Sequence, residues 1–176
     1  MTKVICLYGS PGSGKSTAAA GLYYHLKMKG YHCELVREYV KSWCWEDRAI
    51  GTFDQPYLWG KQLKYESSLY GKVDYVITDS PAMLAGFYED FYEEDKVIGE
   101  AVFKFMEKAK NNGVIYKNFW FNAGEVPYDA RGRNQDKQEA TLVSTAMMTW
   151  LLTNKVELDV VTVSAKDRMD YLLENV

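Results

Sequence analysis

A chain of 176 residues, 47% of them apolar, is long enough for one domain with a full hydrophobic core and too short for a second of normal size. A formal net charge of −3 excludes a broad basic surface, so long tracts of nucleic acid held by their phosphates are not the expected main partner. Cys6, Cys33 and Cys44 are odd in number and lack C-x-x-C spacing, the pattern of reduced thiols, and no apolar run approaches membrane-spanning length; with a first strand starting at residue 3 and no signal peptide before it, a cytoplasmic protein without a membrane partner is expected.

The apolar run Val4-Ile5-Cys6-Leu7-Tyr8 reads as a buried strand. It leads directly into Gly9-Ser10-Pro11-Gly12-Ser13-Gly14-Lys15-Ser16-Thr17, which satisfies G-x-x-x-x-G-K-[ST] in the strand-then-helix setting the motif needs. Glycines let such a loop wrap an anion with its backbone N–H groups, Lys15 reaches the β- and γ-phosphates, and the Ser16 hydroxyl takes one Mg²⁺ position. Residues 9–17 are therefore the candidate site for a nucleoside triphosphate, with ATP the expected donor and Mg²⁺ its metal. Ala18, Leu22 and Leu26 mark one face of the following helix, which ends near Gly30. Residues 33–37 read as a second short strand ending at Glu38. From about Gln55 to Tyr70 a helix carries Leu58, Gln62, Tyr65 and Leu69 on one face; Gly71 stops it, and 73–78 forms a third strand with Asp79 at its carboxyl end.

Residues 96–111 read as helical, with Val97, Ala101, Phe105 and Ala109 along one stripe, and 114–121 as a fourth strand. A polar segment then leads to a helix bearing Val143, Met147, Trp150 and Leu151, followed by a fifth strand at 156–163 and a short helix at 167–174. This alternation predicts an α/β architecture, a P-loop NTPase fold whose five-stranded parallel sheet carries helices on both faces and ligands at the carboxyl ends of the strands. The long polar connection, about 122–135, is the candidate lid.

Four classes share the loop. A switch GTPase needs D-x-x-G and N-K-x-D after strands; here Asp79 is followed by Ser80-Pro81-Ala82, and Asn154-Lys155-Val156-Glu157 precedes its strand. A motor or clamp-loader ATPase carries an acid after the Walker B Asp to polarise water, a role Ser80 cannot take. Kinases remain, acting on a nucleoside, a nucleotide or another small hydroxyl compound. In the lid, Arg131 and Arg133 supply planar cations suited to the spread charge of phosphoryl transfer. Strand two is expected to neighbour the strand feeding the phosphate loop, which would bring Glu38 close enough to take a proton from an attacking hydroxyl. Asp79 is the candidate Walker B residue for Mg²⁺. Between Glu38 and Gln62 lie Tyr39, Trp43, Trp45, Phe53, Tyr57 and Trp59; bases stack on such rings, and Gln55 or Gln62 can read a base edge. The adenine side is placed only by position, at 164–168.

These residues resemble the deoxyribonucleoside kinase family. Glu38-Tyr39-Val40-Lys41-Ser42-Trp43 is similar to its E-P-V-x-x-W, and Arg131-Gly132-Arg133-Asn134 with the following Gln135-Asp136-Lys137-Gln138 to its lid R-G-R-N-E-E-Q. Tyr39 stands in place of Pro, and Asp79-Ser80-Pro81 in place of D/E-R-S, without that family's arginine. A wider resemblance is to small bacteriophage-type P-loop kinases and the nicotinamide riboside kinase domain, which share the loop, D-S-P after strand three, and Y-x-x-x-G-R-N-Q, here Tyr128 to Gln135. The first resemblance implies that Glu38 meets the acceptor hydroxyl and that Trp43 lines a base pocket.

The resulting expectation is Mg·ATP-dependent transfer of the γ-phosphoryl group to a nucleoside or nucleotide acceptor. Lys15, Arg131 and Arg133 would stabilise charge, Ser16 and Asp79 hold the metal, and Glu38 position or deprotonate the acceptor. Two rivals stay open: a kinase acting on hydroxymethylated pyrimidines in DNA, the one way nucleic acid would be a partner, and a nucleotide-binding regulator without transfer activity. Tyr88, Phe91 and Tyr92, read as exposed aromatics, are compatible with a homodimer surface.

Overall fold

Five parallel strands, β1 (Thr2–Gly9), β2 (Cys33–Val36), β3 (Tyr75–Thr78), β4 (Val114–Phe121) and β5 (Asp159–Val161), lie side by side in the order β2-β3-β1-β4-β5. The computed structural model describes residues 1–51, 53–92, 97–122 and 137–176. Its helices are α1 (Lys15–Met28), α2 (Lys41–Trp45), α3 (Gln55–Ser67), α4 (Leu84–Tyr92), α5 (Val97–Asn111), α6 (Lys137–Thr153) and α7 (Arg168–Asn175).

The central strand explains its own composition. Successive side chains of β1 point to opposite faces, and both faces are covered, so the run is apolar throughout rather than alternating. Ile5 and Leu7 pack with Ala19, Leu22 and Leu26 of α1 and Leu172 of α7. Val4, Cys6 and Tyr8 face the other way, against Phe87 of α4, Ile98 and Val102 of α5, and Val143, Met147 and Leu151 of α6. Cys6 and Cys33 are buried, Cys44 is half-buried, and none of the three is in a disulfide. Among the described residues no helix is long and apolar enough to cross a membrane.

Several local expectations change. β2 lies at the sheet edge with β3 between it and β1, so Glu38 is next to the loop after β3 rather than next to the phosphate loop. β3 begins at Tyr75; just before it, Asp74 Oδ2 accepts the His32 N–H at 2.9 Å. β5 pairs only with Phe119–Phe121 and ends there. The helix α4 was not foreseen. It fixes α5, because Glu89 is buried and its Oε2 accepts the Ile98 and Gly99 N–H groups at 2.7 and 3.2 Å, capping α5 from a neighbouring helix. That cap turns Ile98, Val102 and Ala109 inward and leaves Val97 exposed, one position round from the expected stripe. On α3 the buried face is Gln55, Leu58, Gln62 and Glu66, and Tyr65 is exposed. Tyr88 and Phe91 are half-buried against the α4–α6 core, so Tyr92 alone of the three is exposed.

Candidate functional site

The phosphate loop joins β1 to α1 through three left-handed glycines, Gly9 (φ 135°), Gly12 (φ 87°) and Gly14 (φ 90°). A side chain at Gly9 would place its Cβ 2.3 Å from the Phe121 carbonyl oxygen, so the loop can leave the sheet here only without one. Within the loop the Ser13 N–H donates to the Ser10 carbonyl at 3.1 Å, and Lys15 Nζ donates to the Gly9 and Ser10 carbonyls, both at 2.9 Å. No side chain caps the first turn of α1. The Ser10 and Ser13 hydroxyls are buried without a hydrogen-bond partner. Uncapped amides, an ammonium and two orphaned hydroxyls on one loop form a donor set that a phosphate chain would satisfy.

Arg168, the first residue of α7, braces the loop from below. It is buried, its Nη1 donates to the Ser13 carbonyl at 2.6 Å, and its Nη2 lies 3.5 Å from the Asn122 carbonyl. Its guanidinium also stands 5.0 Å from the centre of the Phe121 ring. The positional expectation for 164–168 pointed at this region without identifying the brace; a lone arginine after a short strand carries no pattern that would single it out.

Ser16 lies exposed in the first turn of α1, and Asp79 is buried at the carboxyl end of β3. Both are hard oxygen donors of the kind Mg²⁺ takes together with phosphate and water. Among the described residues no group of three or more His, Cys, Asp or Glu could hold a metal by itself.

On the acceptor side, the Glu38 N–H donates to Asp79 Oδ1 at 3.2 Å, which joins the two predicted acids. The next amide, Tyr39 N–H, donates to Gln62 Oε1 at 3.1 Å. Gln62 thus has its carbonyl oxygen engaged, while its Nε2 is buried without a partner. Three residues past Asp79, the Ala82 N–H donates to Glu66 Oε1 at 2.7 Å. Burial pushes the Glu66 carboxyl up to about 7; the Ala82 amide and the nearby Gln62 and Tyr70 side chains pull the other way, although Gln62 Nε2 itself makes no hydrogen bond. The Tyr88 phenol of α4, read from the sequence as a surface aromatic, is raised by burial and further by the Glu38 charge.

The aromatic segment is packed against itself. Trp43 is only 3% exposed, with the Tyr57 ring stacked at 6.1 Å and the Arg48 guanidinium 3.4 Å from its centre, so its ring is already covered by its own segment. Gln55 is buried on α3, whereas Trp45 and Phe53 are exposed. The predicted lid residues, Tyr128, Arg131 and Arg133 among them, lie outside the described residues.

Comparison with known proteins agrees with this frame. The fold is similar to that of an APS kinase from Mycobacterium tuberculosis, at 13% identity and a TM-score of 0.54, covering 98% of this chain and 95% of that one. It is also similar to a deoxyadenosine kinase from M. mycoides, solved with bound dATP, at 14% identity and a TM-score of 0.62, covering 99% and 98%. At these identities the likeness is one of fold. No curated protein matches the chain. A family model described as an AAA domain matches residues 4–168, from β1 through the phosphate loop and Asp79 to Arg168, and the chain belongs to that P-loop family.

Proposed function

We propose that the protein is a kinase that moves the γ-phosphoryl group of ATP to a hydroxyl or phosphate of a nucleoside-like acceptor. The observation that carries this reading is the Glu38–Asp79 contact: two acids joined through the Glu38 amide at the carboxyl ends of β2 and β3, on the same end of the sheet as the loop that follows β1. A protein that only stores nucleotide has no use for the second acid. Ser80 follows Asp79, where a water-splitting ATPase carries an acid, and this also favours transfer over hydrolysis.

In this reading Lys15 leaves the Gly9 and Ser10 carbonyls for the β- and γ-phosphates, and the α1 amides and the Ser10 and Ser13 hydroxyls hold the rest of the chain. Mg²⁺, held by Ser16 and Asp79, would neutralise charge on the β- and γ-phosphates. Glu38 accepts the proton of an acceptor hydroxyl as the hydroxyl oxygen bonds to phosphorus and ADP leaves. Arg131 and Arg133, outside the described residues, would supply the cations for the charge that spreads over the transferring phosphoryl group. Gln55, Gln62 and Trp43 are the residues assigned to the acceptor side in this reading.

The test is incubation with γ-labelled ATP alone, then with pooled nucleosides, nucleoside monophosphates and hydroxymethylated DNA. Label should pass to one of the first two pools, and Glu38→Gln should bind ATP normally and transfer at least about a hundredfold more slowly, the usual contribution of a positioned base. Transfer to DNA, or to nothing at all, would replace this reading with one of its rivals; a normal rate in Glu38→Gln would move the base elsewhere.

A further inference from the structure

A helix that packs on a core normally turns an apolar stripe inward. α3 does not: of its four buried positions, Gln55, Gln62 and Glu66 are polar and only Leu58 is apolar. Burying an amide and a carboxyl disfavours folding unless each is matched by a hydrogen bond. Gln62 and Glu66 each find a match on the backbone of a loop. Gln62 Oε1 accepts the backbone N–H of Tyr39, the residue after Glu38, and one turn further along Glu66 Oε1 accepts the backbone N–H of Ala82, in the loop that begins at Asp79.

The two loops are joined at their starts as well, by the Glu38 N–H on Asp79 Oδ1. Three consecutive links therefore tie the two acid-bearing loops to each other and to one rigid helix. Neither loop belongs to a strand at these positions, so without α3 the Tyr39 and Ala82 amides would be left to other partners.

We propose that Gln62 and Glu66 of α3 are positioning residues for phosphoryl transfer, a paired brace that sets Glu38 and Asp79 relative to each other by holding the backbone on either side of them. The pair touches neither the phosphate loop nor the reacting atoms in this assignment. It acts through the two loops, and a shift of about 1 Å in such groups is enough to cost on the order of a hundredfold in rate. The role rests on the kinase reading above, but the links themselves do not.

The experiment compares wild type with Glu66→Ala, Glu66→Gln and Gln62→Ala by amide hydrogen exchange at Tyr39 and Ala82, by the Kd of a fluorescent ATP analogue, and by kcat and KM for the acceptor found above. Glu66→Ala should speed exchange at Ala82 at least about tenfold and lower kcat by about ten- to a hundredfold, with the ATP-analogue Kd within about twofold. Glu66→Gln, which keeps an oxygen in place, should restore both the protection at Ala82 and most of kcat. Gln62→Ala should speed exchange at Tyr39 and leave Ala82 protected.

Full turnover in Glu66→Ala with Ala82 deprotected would overturn the proposal. So would a Glu66→Gln enzyme as slow as Glu66→Ala while its Ala82 amide stays protected, since that would put the carboxyl's charge and not its grip in control. Should Glu66→Ala not fold, Glu66→Gln and Gln62→Ala decide the matter by the same readings. If wild type transfers label to no acceptor, the kinase reading falls; unchanged exchange at both amides in the variants is the separate result that would remove the brace.

Discussion

Lys15 spends its charge on two carbonyls of its own loop, 2.9 Å from each, an arrangement a phosphate oxygen can displace without moving the backbone. Lys15→Ala should therefore leave the fold intact and lower kcat by about 10²–10³, the usual loss of one preorganised charge-stabilising donor, as read in a steady-state assay. Arg168 is the opposite case, a buried cation whose bond to the Ser13 carbonyl is structural. Arg168→Ala should cost about 2 kcal/mol of stability, typical of a hydrogen bond to a charged group, seen as a lowered urea midpoint. The difference between the two residues in legibility has a physical origin. Lys15 sits in a local pattern of nine residues, whereas the partner of Arg168 is 155 positions away, a pairing only the folded chain brings about. Glu38 and Asp79 were legible as acids at strand ends; their mutual contact was not, because it depends on strand order.

At the scale of elements, α4 and α5 cross at a pair of glycines. A Cβ at Gly86 would come within 2.8 Å of the Gly99 Cα, whereas one at Gly99 would meet only the Gly86 carbonyl oxygen, at 4.0 Å. Gly86→Ala should accordingly destabilise by about 1–3 kcal/mol through forced separation of the helices. Gly99→Ala should be neutral or stabilising by up to about 1 kcal/mol, since alanine is the better helix former. Chemical denaturation of the pair checks both signs. The sequence showed the strands and most helices through hydrophobic period and glycine stops. α4 went unread although Leu84, Phe87, Tyr88 and Phe91 stand at i, i+3, i+4 and i+7, because its aromatics read as surface; the rotation of α5 was not readable locally, since Glu89 of the neighbouring helix caps it.

Across the whole molecule, one acid links stability to pH. Glu66 lines a cavity with Cys6, Tyr8, Tyr70 and Tyr116, the titratable groups around it, on β1, β4 and the turn after α3. Burial holds its carboxyl at about 7 against an ordinary 4.5, so between these values the native chain keeps a proton that the unfolded chain has released. Stability from this group is thus full below pH 4.5, falls as pH rises to 7, and is flat above. The loss amounts to about 3 kcal/mol at 1.36 kcal/mol per decade of proton affinity. Measured by urea denaturation, the gap between wild type and Glu66→Gln should shift against wild type by that amount over the window; a constant gap would return Glu66 to an ordinary carboxyl.

The bond from Arg168 to Ser13 also bears on the order in which the protein is made. The polyphosphate cradle is encoded near the start of the chain, yet one of its supports arrives only after five strands and six helices have been synthesised. A ribosome-bound chain stopped short of α7 would carry every residue of the loop and still lack its floor, so tight nucleotide retention becomes a marker that synthesis has passed Arg168.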